Sequence, residues 1–256
     1  MSLALVTGAT GGIGLDVARL LAAREHDLVL VARRAQELER LAAELQQAHG
    51  VTVHHIASDL GAPGAADALA DTLAARGLVV DILVNNAGIG QYGLYAATDA
   101  AQEAQMVQLN VVALTALTKR LLPGMVQRRR GHVLNVASTA AFFPGPLMAV
   151  YYATKAYVLS LSEALSEETR GTGVSVTALC PGPTATGFQA EAKMQESRLL
   201  KVAAMLPVAE VARQGVEGMF AGRRVVVPGI ANKVMVAMRR LTPTGVLLRL
   251  VRAAQG

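Results

Sequence analysis

From its third residue the chain alternates short, almost continuously apolar runs with longer segments of helical periodicity, and this alternation limits its fold more than any other feature. The runs Leu3 to Thr7, Asp27 to Ala32, Val51 to Ala57, Val80 to Asn85, His132 to Ala137 and Val174 to Cys180 have the length and content of strands. Helical patterns lie between them, over about Gly12 to Arg24, Glu37 to His49, Ala65 to Arg76, Asp99 to Arg130 and Tyr151 to Gly171. Strands apolar on both faces, each joined to the next through a helix, predict an α/β fold with a doubly wound, mostly parallel sheet of about seven strands and helices on both faces. Neither a linker nor an internal repeat interrupts the pattern, so a single domain over residues 1–256 is expected. With 52% hydrophobic and 17% charged residues the chain can bury a large core.

In such a sheet, ligands sit beyond the carboxyl ends of the strands, where strand order reverses. Gly8 follows the first strand, Arg33 the second, Asn86 the fourth and Ser138 the fifth, so all four are expected around one crevice. The segment Thr7-Gly8-Ala9-Thr10-Gly11-Gly12-Ile13-Gly14 joins the first strand to the first helix, where backbone N–H groups and the helix dipole hold a pyrophosphate. Sites for NAD carry an acidic residue about 20 residues further on, bonded to the ribose 2′-hydroxyl. Arg33 and Arg34 stand there instead, and guanidinium groups attract a 2′-phosphate that a carboxylate would repel, so NADP(H) is expected over NAD(H).

Tyr151 and Lys155 are four residues apart at the start of a predicted helix and share a face. A phenol with its ordinary pKa near 10 is a poor base, and a neighbouring ammonium is expected to bring that value down. Ser138, at the end of a strand, has a hydroxyl able to bind a substrate oxygen held by Tyr151. Tyr152 is the competing tyrosine, at a spacing of three from Lys155.

Taken in order, Thr7-Gly8-x-x-x-Gly12-Ile13-Gly14, Asn85-Asn86-Ala87-Gly88, Asn110, Ser138, Tyr151-x-x-x-Lys155 and Pro181-Gly182-x-x-x-Thr186 resemble the short-chain dehydrogenase/reductase family over about residues 1–190. Gly8, Gly11 and Gly14 also satisfy the glycine spacing of the family's extended members, many of them epimerases, but the length and the Asn-Asn-Ala-Gly run favour the compact type. The resemblance implies a Rossmann-type fold and carbonyl/alcohol chemistry, with Asn110, Ser138, Tyr151 and Lys155 as the catalytic set and Asn110 on a proton relay behind Lys155. It implies cofactor contacts from Gly8, Thr10, Gly12, Ile13 and Gly14, from Asp59 and Leu60 at the adenine, and from Asn86, Ala87 and Gly88 at its ribose. Pro181, Gly182, Thr184 and Thr186 would close on the nicotinamide carboxamide, while Tyr151 and Lys155 also touch the cofactor. Gly11 departs from the basic residue that many NADP(H)-using relatives carry, which leaves the phosphate to Arg33, with Arg34 beside it. A homodimer or homotetramer paired through the helices near 99–130 and 150–171 is expected, acting on a small-molecule carbonyl or alcohol. The alternatives are a non-catalytic NADP(H)-binding sensor or interaction protein, and an epimerase that retains its nicotinamide.

Candidate substrate walls are Ile89 to Leu94, Ala140 to Met148 and a lid from Phe188 to Leu206, apolar enough to suggest an apolar ketone or acyl-type substrate. All nineteen acidic residues precede Arg223, and from Arg223 onward there are seven basic residues, so a basic amphipathic extension occupies about 230–256. No aromatic residue follows Phe220 to stack on bases, and nucleic acid is not expected as a partner. The stripes Ile230, Val234, Met238, Leu241 and Val246, Leu247, Leu250, Val251 are expected to dock on the body or a second subunit, with a membrane surface as the rival reading. No metal site is expected, because His54 and His55 point to opposite faces of one strand. The single cysteine, Cys180, allows no internal disulfide and the run Leu3 to Val6 is too short for an export signal, so a reducing cytoplasmic setting is expected.

Overall fold

The computed structural model describes residues 2–184 and 205–256. Strands β1 (Leu3–Thr7), β2 (Asp27–Ala32), β3 (Val53–Ala57), β4 (Val80–Asn85), β5 (Gly131–Val136), β6 (Val174–Leu179) and β7 (Val225–Val226) form one sheet in the order β3-β2-β1-β4-β5-β6-β7. Every neighbouring pair is parallel. The helices are α1 (Gly12–Ala22), α2 (Ala35–His49), α3 (Ala65–Ala75), α4 (Ala100–Val107), α5 (Leu114–Gln127), α6 (Ala149–Glu168), α7 (Val208–Phe220), α8 (Ile230–Met238) and α9 (Thr244–Gln255).

Strand pleating explains why both faces read as apolar. Ala4 and Val6 of β1, with Leu28, Leu30, Ile82 and Val84, pack against α1, α2 and α7. Their alternates Leu5, Val29, Val31, Leu83 and Val133 point the other way, onto Leu69, Leu73, Leu117 and Met125 of α3 and α5. Each fully buried leucine of this kind contributes about 1.5 to 3 kcal/mol of hydrophobic stabilisation.

The predicted helix from Asp99 to Arg130 is interrupted: α4 ends at Val107, a π turn runs over Gln108–Ala113, and α5 stops at Gln127. A π turn inserts one extra residue per turn and redirects the side chains it carries, and here it carries Asn110. Ala100–Gln127 taken as one helix is long and apolar enough to cross a membrane, yet it flanks the sheet, with Thr118 Oγ1 accepting from Asn85 Nδ2 of β4 at 3.0 Å. β7 and α7 were not resolved as elements by the sequence pattern, β7 being only two residues long. Because β1 and β4 are neighbours, connections leave them toward opposite edges of the sheet, and a crevice opens above their carboxyl ends.

Candidate active site

A cleft of about 450 Å³ occupies that crevice, lined from one end by Gly8, Thr10, Gly12, Ile13, Arg33 and Arg34 and from the other by Ser138, Tyr151 and Lys155. At the first end, no side chain caps the N-terminus of α1 and no acidic residue lies in its first turn. Open space surrounds the position of Gly11, so the uncapped N–H groups can receive an anion, which fits a pyrophosphate. Gly14 lies beneath the loop and is not part of the cleft wall: a Cβ there would collide with the Asn86 side chain and the Gly8 carbonyl. Close packing against the loop requires glycine there.

Thr7 and Asn86 bind the two sides of the switch point together. Thr7 Oγ1 accepts from Asn86 N at 3.0 Å and Ala87 N at 3.1 Å, and Asn86 Nδ2 donates to Thr7 O at 2.9 Å and Gly8 O at 3.1 Å. The side chain of Asn86 therefore fixes the glycine loop, while Asn86, Ala87 and Gly88 together form the adjoining wall. Asp59 and Leu60 follow β3 on the same cleft, Asp59 Oδ1 accepting from Gly61 N at 3.0 Å. Arg34 donates to Thr10 Oγ1 at 3.2 Å and pairs with Glu37 at 2.9 Å, so its charge is partly answered within the chain. Pro181, Gly182 and Thr184 line the far wall, and Thr184 Oγ1 donates to Gly182 O at 3.0 Å. Thr186 and nearly all of the expected lid, Phe188 to Leu206, lie outside the described residues.

At the other end, Ser138 Oγ accepts from Ala140 N at 3.1 Å, donates to Pro181 O at 3.4 Å and shares a hydrogen bond with the Tyr151 hydroxyl. One turn along α6, Lys155 Nζ donates to Val136 O at 2.8 Å and lies 5.8 Å from the centre of the Tyr151 ring. Burial brings the Lys155 ammonium down to about 8. Burial also pushes the Tyr151 phenol above its ordinary value, which reverses the expected direction: desolvation disfavours phenolate and ammonium alike, and here it outweighs the Ser138 hydrogen bond. Cys180 behind them is a packed thiol, pushed up to about 12 by burial.

Asn110 is buried behind the wall. Its Oδ1 accepts from Ile89 N at 3.0 Å, and its Nδ2 donates to Ile89 O at 2.9 Å and to Thr154 Oγ1 at 3.1 Å. Thr154 Oγ1 in turn donates to Tyr151 O at 2.7 Å, so the π turn is tied directly to the turn of α6 that carries Tyr151. Asn110 and Lys155 converge on Gly88, where an added Cβ would stand 3.1 Å from Asn110 Oδ1 and 3.5 Å from Lys155 Nζ. Thr154 was not singled out from sequence, although its place between Tyr151 and Lys155 was in view.

The largest omission from sequence is Gln255. Its Nε2 donates to Tyr152 Oη at 2.8 Å, its carbonyl accepts from Tyr92 Oη at 2.8 Å, and it lines the cleft. Tyr152 is thereby engaged with α9, which leaves Tyr151 as the phenol beside Ser138. Around these groups Ala140, Phe143, Met148 and Val251 make an apolar cluster. Among the described residues no group of three His, Cys, Asp or Glu side chains is placed to hold a metal.

Residues 2–197 match a family model described as short chain dehydrogenase. A very-long-chain 3-oxoacyl-CoA reductase from Macaca fascicularis is 35% identical over 187 residues, which is 72% of this chain and 59% of that relative. The chain thus spans about 59% of the length of the curated relative it matches. Among solved structures, a short-chain dehydrogenase from Sphingobium yanoikuyae in complex with NADPH is 32% identical, covering 94% of this chain and 95% of its own with a TM-score of 0.84. A short chain dehydrogenase/reductase from Burkholderia phymatum in complex with NAD is 28% identical, covering 94% and 93% with a TM-score of 0.82.

Proposed function

Because the chain belongs to the short-chain dehydrogenase/reductase family, we propose that it is an NADP(H)-dependent oxidoreductase interconverting a carbonyl and an alcohol on an apolar substrate, with Tyr151 as the proton-transfer group. The observation that carries this reading is the convergence of Ser138, Tyr151 and Lys155 at one end of a cleft whose other end presents an uncapped helix N-terminus. Such a cleft suits a dinucleotide laid across the switch point. When bound, the nicotinamide supplies or takes up the hydride.

The remaining chemistry belongs to the chain. Ser138 Oγ and the Tyr151 hydroxyl, already hydrogen-bonded to each other, together hold a carbonyl oxygen. Tyr151 is protonated at neutral pH, so it enters as an acid and hands its proton to that oxygen as negative charge develops there. Lys155, still mostly protonated at neutral pH, stabilises the phenolate left behind. Asn110 and Thr154 keep the π turn and the Tyr151 turn in register. The preference for NADP(H) is supported by Arg33 on the cleft wall after β2, where no carboxylate stands; solved neighbours carry either NADPH or NAD. The apolar cluster at the substrate end favours a ketone or 3-oxoacyl-type substrate, in keeping with the reductase relative.

Tyr151→Phe is the direct test. Turnover with a panel of ketones should fall by at least about a hundredfold, while NADPH still binds when followed by its fluorescence. Retention of most of the activity would exclude Tyr151 as the acid.

A further inference from the structure

Outside the cleft, the most unusual surface is made by α8 and α9. From Arg223 onward the sequence has seven basic residues and none acidic. Elsewhere Arg19, Arg34, Arg120, Arg170 and Arg213 pair with carboxylates. Lys233, Arg239, Arg249 and Arg252 are exposed, and no ion pair among the described residues engages them. Apolar side chains stand between these cations. Eight of the fifteen large apolar residues left exposed among the described residues fall within 230–250, and Ile230 and Leu241 are 81% and 87% open. Ile230, Val234 and Met238 recur at the helical interval on one face of α8.

The inner flank of α9 is already in use, with Leu247 and Gln255 buried and Val251 packed on the apolar cluster at the substrate end of the cleft. The tail thus meets the body along the inner flank of α9 and at the first turn of α8, where Asn232 packs against Gly182. The α8 face and the outer flank of α9 stay open.

We propose that this open face docks on an anionic phospholipid surface. Exposed apolar side chains interleaved with unpaired cations match acyl chains and phosphate headgroups together. A second copy of the chain matches it poorly, since a twofold contact sets the same cations against themselves with no carboxylate in the segment to offset them. Docking also has a consequence for the cleft, because the first turn of α8 brings Asn232 against Gly182 and the last turn of α9 brings Gln255 against Tyr152. The helices that pack against Gly182 and Tyr152 of the cleft wall are then the ones seated on lipid.

Vesicle co-sedimentation of the full chain tests this without cofactor or substrate, so its outcome is independent of the turnover assigned to Tyr151. The protein is expected to pellet with phosphatidylcholine vesicles containing phosphatidylglycerol, to remain in solution with pure phosphatidylcholine, and to be released by high salt. Lys233→Glu combined with Arg249→Glu should weaken partition by at least about tenfold, and Ile230→Ser with Leu241→Ser should weaken it without changing the thermal unfolding curve. Failure of the wild type to pellet, or pelleting of both double variants like the wild type, overturns the proposal. So does equal pelleting with both vesicle types. If Ile230→Ser with Leu241→Ser instead splits an oligomer in size-exclusion chromatography while no vesicle binding occurs, the face belongs to a second copy.

Discussion

Lys155 keeps an ammonium where water hardly reaches, 6% exposed, with the Val136 carbonyl accepting one of its protons. Its pKa falls to about 8 through burial, against about 10.4 for an unfolded lysine. Between these values the unfolded chain holds a proton that the folded chain has released, so stability rises with pH across that window. Below pH 8 both forms are protonated, and the folded state carries the full cost, about 3 kcal/mol for a shift of this size. Lys155→Met is therefore expected to raise Tm at pH 7 and to lose most of that advantage by about pH 10, as followed by calorimetry. A variant less stable than wild type at pH 7 would mean that the Val136 hydrogen bond outweighs the buried charge. The same burial explains where the sequence reading of this pair failed. The spacing of Tyr151 and Lys155 shows that phenol and ammonium share a helix face, but it carries no information on how deeply both are desolvated. The expected fall in the Tyr151 pKa becomes a rise, which favours its role as acid over its role as base.

At the scale of elements, legibility followed the source of each signal. β1, β2 and β4 were delimited from sequence to the residue because local punctuation ends them, glycine, arginine or asparagine following an apolar run. The break between α4 and α5 was not legible: apolar periodicity continues through it, and its anchor is tertiary, the capture of Asn110 by the backbone of Ile89. Gln255 was hidden for a related reason. An amphipathic stripe shows that a helix has a buried side without showing what that side touches, and a glutamine near its end looks like a solvated residue. In the fold it reaches 107 residues back in sequence to Met148 and bonds the hydroxyl of Tyr152. Gln255→Ala leaves that hydroxyl buried without its donor, at a cost of about 1 to 3 kcal/mol. Since Tyr152 faces the substrate end and touches neither Ser138 nor Lys155 by any hydrogen bond described above, the loss should appear in substrate binding. KM for an apolar ketone is expected to rise about five- to tenfold with kcat and NADPH affinity nearly unchanged. An equal fall in kcat would place Gln255 in the chemical step.

Cofactor preference belongs to the whole molecule, because a ligand that binds only the folded chain shifts the unfolding of all of it. At a concentration about a hundredfold above its Kd, NADPH stabilises by about 2.7 kcal/mol. For a chain of this size that is a rise in Tm of about 5 to 11 °C. NADH lacks the 2′-phosphate, so with Arg33 in the proposed role it forgoes charge-assisted contacts of about 1.5 to 3 kcal/mol and should shift Tm much less at the same concentration. Arg33→Ala should bring the NADPH shift down to the NADH shift while leaving the NADH shift where it was. Arg34 pairs with Glu37 and donates to Thr10, so part of its charge is answered within the chain. Equal shifts in the wild type would remove the NADP(H) preference alone. The parallel sheet, the uncapped α1 terminus and the Ser138, Tyr151 and Lys155 arrangement do not depend on which ribose hydroxyl bears a phosphate.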